Sequence, residues 1–171
     1  MYQRILVPVD GGAIAAGGLD QAILLANLTG ATLCLVHMLD AASHCSGFET
    51  GPVYCSEVLP RMRQTGERIL DESRRRVERA GLKAETVLFE ARCGVSEFVL
   101  DYAKRWGAEL IVVGTHGRCG AARFFMGSDA ERILRGATVP VLLVRLTEPV
   151  GSGAYLEADD AASRTPAVAH G

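Results

Sequence analysis

Leu110-Ile111-Val112-Val113 places four apolar side chains in a row. A strand with that sequence has no polar face to offer to water, so it must be covered on both sides. The run is followed by Gly114, Gly117, Gly127 and Ser128, a spacing of Gly-x2-Gly-x9-Gly-Ser. This predicts a buried strand that stops at Gly114, a turn through residues able to adopt positive φ, and a glycine-serine pair that opens a helix near Asp129. Such a stretch has the makings of a phosphate cradle. Glycines let backbone N–H groups approach an anion with no Cβ between, Ser128 adds a hydroxyl, and the helix start adds unpaired donors.

The remainder of the chain supplies the neighbours that a doubly covered strand requires. Arg4 to Val9 is a short β-rich run closed by Asp10-Gly11-Gly12. Ala15 to Leu28 keeps a helical period through Leu19, Ala22, Ile23 and Ala26, with Gly30 as its stop. Ala31 to Leu39 is apolar on both faces, as suits a central parallel strand. Asp40 to Ser56, rich in Ser, Gly, Pro and Thr, is expected to be a surface loop.

A long helix follows, with an apolar stripe from Leu59 to Ala80 and Gly81 as its end. Its seven arginines are interleaved with Glu67, Asp71, Glu72 and Glu78, which favours a solvated face with i,i+4 pairs over a basic binding face. Ala84 to Ala91 is a third strand. Val95 to Trp106 is a helix whose Phe98, Val99, Tyr102 and Trp106 are read as core packing, with Gly107 as terminator. Glu109 to Thr115, Asp129 to Arg135 and Val139 to Arg145 complete the pattern as strand, short helix and strand. Alternation of this kind predicts a five-stranded parallel α/β sheet, doubly wound by right-handed crossovers.

Composition narrows the function classes. A chain of 171 residues with 49% hydrophobic content builds one core without staples, and a net charge of −2 gives no electrostatic case for nucleic acid or an anionic membrane. No run reaches the roughly 18 apolar residues of a membrane span. The N-terminus enters a strand directly, so a cytoplasmic protein is expected. Five cysteines, an odd number with no Cys-x-x-Cys pair, argue against a disulfide framework. His37, His44, Cys45, Cys55, His116 and Cys119 repeat no zinc-ligand spacing, so no metal site is assigned to them. Beyond Thr147 the chain turns to Gly, Ala, Ser, Asp and Pro without periodicity. Residues 1–147 are therefore expected to form the domain and 148–171 a disordered tail.

The glycine spacing, the Val139 to Arg145 strand, the opening Ile5-Leu6-Val7-Pro8-Val9-Asp10 and the segment Leu35-Val36-His37-Met38 together resemble the universal stress protein family, in its ATP-binding branch. The resemblance runs from about Tyr2 to Arg145. It implies a Rossmann-like sheet, similar to the adenine nucleotide α-hydrolases, in strand order 3-2-1-4-5. Ligands of such sheets sit outside the carboxyl ends of the strands where the order reverses. It implies an ATP site in which Pro8, Val9 and Asp10 serve the first strand's exit, Asp10 helping to fix the adenine, and Met38 packs on the base. Gly114, Gly117, Gly127 and Ser128 match the phosphate and ribose positions, and His116 and Arg118 lie beside Gly117 within reach of phosphate. Arg118 is the more natural partner because its donors stay charged. Where this chain has Gly12 the family often has Ser, which removes a hydroxyl and leaves backbone donors.

An accompanying Mg²⁺ or Mn²⁺ would be held mainly by the triphosphate. No general base is evident beside the glycine loop, so a binder with slow or no ATPase activity is expected. A true enzyme of related fold is the alternative, but the chain has neither a Ser-Gly-Gly-x-Asp-Ser nor a Gly-x4-Gly-Lys-Ser/Thr loop. A dimeric interaction module without nucleotide is a third reading, opposed by the intact glycine spacing. The family also dimerises through its last strand. Here Val139, Val141, Leu142, Leu143 and Val144 make an apolar edge that suits a homodimer, with Val141 and Leu143 as candidate outward positions.

Overall fold

The computed structural model describes residues 1–40, 58–91, 94–116 and 127–146. Nine elements alternate along them: β1 (Arg4–Pro8), α1 (Ala13–Thr29), β2 (Thr32–Asp40), α2 (Leu59–Arg79), β3 (Ala84–Ala91), α3 (Val95–Trp106), β4 (Leu110–His116), α4 (Ser128–Gly136) and β5 (Val141–Leu146). The expected 40–56 loop, apart from Asp40, and the tail beyond Thr147 lie outside the described residues.

The strands form one parallel sheet in the order β3-β2-β1-β4-β5. Period-two alternation divides their side chains between two cores. Ile5, Val7, Leu33, Leu35, Leu110 and Val112 pack under α1 and α2, with Leu19, Ile23, Ile69 and Val77. Leu6, Cys34, Val36, Ile111 and Val113 pack under α3 and α4, with Phe98, Val99 and Ile133. Ile5, Leu6, Leu33, Leu35 and Ile111 are fully buried, and each stabilises the fold by about 1.5–3 kcal/mol relative to exposure. The doubly covered apolar runs thus have their physical counterpart in a helical layer on each face.

Helix boundaries follow local chemistry. Gly107 closes α3 with φ of 72°, a left-handed conformation that costs a glycine little. The arginines of α2 behave as a solvated face. Arg68 pairs with Glu72 at 3.2 Å, Arg74 lies between Asp71 and Glu78, Arg76 reaches Asp20 of α1 at 2.6 Å, and Arg63 pairs with Glu90. Phe98 stacks on Phe89 with centroids 4.0 Å apart. Among the described residues no helix is long and apolar enough to cross a membrane.

Two expectations need correction. β4 does not stop at Gly114 but continues to His116. Gly114 also lacks the positive φ of a turn glycine. On β5, Val141 and Leu143 share one face and pack towards α3 and α4, so they are not the outward positions. The exposed apolar residue of β5 is Leu142, on the opposite face, where α1 lies mainly over β4.

Cys34 is fully buried on β2. Burial and then the neighbouring Glu85 carboxylate push its thiol from the ordinary 9.0 up to about 12, against a hydrogen bond with Tyr102 that pulls the other way. The folded thiol therefore keeps its proton where the unfolded one loses it. Its contribution to stability is whole below about pH 9 and declines as the pH rises from there towards 12. We expect pulse alkylation at pH 8 followed by peptide mapping to leave Cys34 unmodified in the native protein and to modify it on unfolding. Native-state labelling at the rate of a free thiol would refute this.

Candidate functional site

β1 and β4 lie side by side at the centre of the sheet, while the chain leaves β1 towards α1 on one face and β4 towards α4 on the other. At their carboxyl ends this divergence opens a cleft of about 340 Å³, within the size range of small-molecule sites. Three helices begin at its rim. α1, α3 and α4 are preceded by Gly12, Gly94 and Gly127, and none of these has a side-chain cap. Their first-turn N–H groups thus take no cap from the preceding residue's side chain, and the positive ends of three helix dipoles converge on one opening. Ile14, Ala15, Val95, Ser128 and Asp129 bring those first turns to the wall.

The deeper wall is apolar, made by Val36, Met38, Phe98, Val99, Val113 and Ile133. The combination suits a ligand with a flat apolar body and an anionic end. Asp10 stands at the mouth, where its Oδ1 accepts a 2.7 Å hydrogen bond from the Gly12 N–H. It thereby holds the turn after β1, in which Gly11 adopts φ of 81°. That leaves Oδ2 as the carboxylate's remaining acceptor.

Of the residues singled out in the sequence, Pro8, Val9, Asp10, Met38, Gly114, Gly127 and Ser128 line this one cleft. His116 ends β4, where its main chain pairs with Leu146. Gly117 and Arg118 lie outside the described residues. The two described glycines differ in kind. A Cβ on Gly114 would lie 2.1 Å from the Ile14 carbonyl oxygen, and one on Gly18 would lie 2.9 Å from the Gly114 nitrogen. These two glycines let α1 lie directly on β4, which brings the start of α1 to the cleft. A Cβ on Gly127 would meet none of the described residues within 4 Å beside the start of α4.

Sequence reasoning missed His37, Thr115, Asp129, Ile14 and the apolar wall apart from Met38. Val36, Val99 and Val113 carry the pattern of ordinary core residues, and nothing local distinguishes a side chain that faces a cleft from one that faces a helix. Phe98, read as core, is both. It is 3% exposed and stacked on Phe89, yet it forms part of the cleft floor.

The fold defines a Rossmann-like, doubly wound α/β protein with its cleft at the strand-order switch point. The sequence pattern of the universal stress protein family matches residues 1–145, and the chain belongs to that family. Universal stress protein YxiE from Bacillus subtilis is 31% identical over 150 residues, covering 85% of this chain and all of the relative. The fold is similar to that of a crystal structure of a universal stress protein family member from Burkholderia pseudomallei. That match has a TM-score of 0.68 and 34% identity, covering 84% of this chain and 96% of the other. It is also similar to the universal stress protein from Archaeoglobus fulgidus in complex with dAMP, at a TM-score of 0.58 and 22% identity, covering 84% and 98% of the two chains.

Proposed function

We propose that this protein binds ATP as a stress-response or regulatory protein of the ATP-binding branch, with slow or no hydrolysis. The observation that carries the reading is the cleft itself, an apolar slot long enough to take a base that opens onto uncapped helix starts beside Gly127. The dAMP complex of the similar Archaeoglobus protein supports an adenine nucleotide as the ligand. The base would lie against Met38 and the apolar wall. The phosphates would take N–H donors at the start of α4 with the Ser128 hydroxyl, joined by Gly117, His116 and Arg118. A Mg²⁺ or Mn²⁺ ion would travel with the triphosphate, held mostly by phosphate and water oxygens. Among the described lining residues the carboxylates are Asp10 and Asp129, and Asp10 already holds the Gly12 amide, so it is not a ready base for an in-line water.

Mass spectrometry of small molecules released from freshly purified protein, paired with calorimetric titration of ATP, AMP and GTP, tests the reading. ATP is expected to be released or to bind, and GTP to bind more weakly. Absence of any adenine nucleotide in both measurements would sink it.

We further propose that two copies pair through β5, the edge of the sheet beyond which no described strand lies. Leu142, exposed on this edge strand, favours a partner strand related by a twofold axis. Sedimentation at micromolar concentration should give a dimer for the wild type and a monomer for Leu142→Glu, with the monomer's far-UV spectrum unchanged. A monomeric wild type ends the proposal.

A further inference from the structure

His37 stands on β2 one residue past Val36, the last β2 residue in register with β1. Its ring Nδ1 lies 2.7 Å from the Val9 carbonyl oxygen. A carbonyl only accepts, so Nδ1 carries the proton and donates. The Val9 N–H in turn donates to the Val36 carbonyl at 2.9 Å. Both main-chain polar groups of Val9 are thus tied to β2 at the point where β1 leaves the sheet for Asp10 and Gly11. One is held by backbone and the other by an imidazole.

The room for that imidazole comes from a different element. Gly66 sits in the interior of α2, where glycine is otherwise unfavourable. A Cβ there would lie 2.8 Å from His37 Cδ2, 2.7 Å from Leu88 Cδ1 and 2.9 Å from Leu39 Cδ2. The glycine is a notch in the helix, and the His37 ring is one of the groups that occupy it. Val9, Asp10, His37 and Met38 all line the cleft, whereas Gly66 does not.

Resting on the nucleotide reading above, we propose that His37, seated in the notch left by Gly66, is a positioning residue for the bound base. By holding the Val9 peptide against β2 it fixes the wall formed by Val9, Asp10 and Met38, against which a purine is read. α2 thereby reaches the site without touching the ligand, and a change in its packing at Gly66 is transmitted through one ring and one hydrogen bond.

The test is the ATP and GTP affinity of the full chain, measured for the wild type, His37→Leu, His37→Asn and Gly66→Ala. Asparagine keeps an N–H donor near the Nδ1 position, leucine removes it, and alanine at 66 displaces the ring while leaving the identity of every cleft residue unchanged. His37→Leu and Gly66→Ala are each expected to weaken ATP binding about tenfold, the factor that loss of one buried hydrogen bond commonly carries. Both should also narrow the preference for ATP over GTP, while His37→Asn stays within about threefold of the wild type. Equal ATP affinity in the wild type and His37→Leu would overturn the role. So would a Gly66→Ala variant that loses thermal stability but keeps both affinity and preference. If His37→Leu does not fold, Gly66→Ala and His37→Asn decide the matter on the same readouts. A wild type that binds neither ATP nor AMP refutes the nucleotide reading itself, a result distinct from any difference among the variants.

Discussion

Gly127→Val is expected to cost the ligand-free protein no more than about 1 kcal/mol and to abolish its stabilisation by ATP. Gly127 precedes α4 with φ of −55° and ψ of 142°, a conformation open to any L-residue, and a Cβ there meets none of the described residues within 4 Å. Among the described residues nothing blocks a side chain there, and the folded protein loses only the N-cap preference for glycine over valine, about 1 kcal/mol. The ligand is what resists, because the side chain would lie beside the N–H groups at the start of α4, where phosphate oxygens would have to approach. ATP at about a hundred times its dissociation constant should add about 2.7 kcal/mol to the wild type, and none of that should remain in the variant. Melting curves with and without ATP supply the measurement. An ATP shift of wild-type size in Gly127→Val would remove the start of α4 from the phosphate site.

Gly114→Ala should do the reverse and damage the fold whether or not nucleotide is present. Its Cβ would be placed 2.1 Å from the Ile14 carbonyl oxygen and 2.7 Å from the carbonyl carbon. Main-chain atoms cannot rotate aside as a side-chain tip can, so α1 must lift from β4. The cost is put at about 3 kcal/mol, the upper part of the range for overpacked cores, which corresponds to a fall of about 6–12 °C in Tm for a chain of this size. Thermal unfolding of the ligand-free variant is the check. A Tm within about 2 °C of the wild type, at roughly 2–4 °C per kcal/mol, would mean that α1 and β4 are not in the contact described here. Because the same lift would carry the start of α1 away from the cleft, weak ATP binding in Gly114→Ala would say nothing about direct contact. Only the contrast with Gly127→Val separates the two roles.

Much of the architecture was legible in the sequence because it depends on local rules. Uninterrupted apolar runs such as Leu110 to Val113 can exist only in strands covered on both faces, and glycines such as Gly30 and Gly107 stop helices through their own backbone freedom. Leu19, Ala22, Ile23 and Ala26 recur at the helical period and are, with Gly18, the buried residues of α1. The strand order came with the family resemblance, and the exits of β1 and β4 flank one cleft.

What the sequence could not distinguish was the work done by residues of one type. Gly114 and Gly127 belong to a single spacing, yet one is bare because a helix from the other end of the chain lies against it, while a Cβ on the other would meet none of the described residues. Val141, Leu142 and Leu143 look alike in a row of apolar residues. Alternation puts the first and third on one side, but which side is covered depends on where α1, α3 and α4 settle across the sheet. His37 and Gly66, 29 positions apart, reveal their relation only when β2 and α2 are packed together. Patterns of burial repeat along the chain and can be read from it. Contacts between distant residues depend on the distances at which whole elements come to rest, and those distances exist only in the folded molecule.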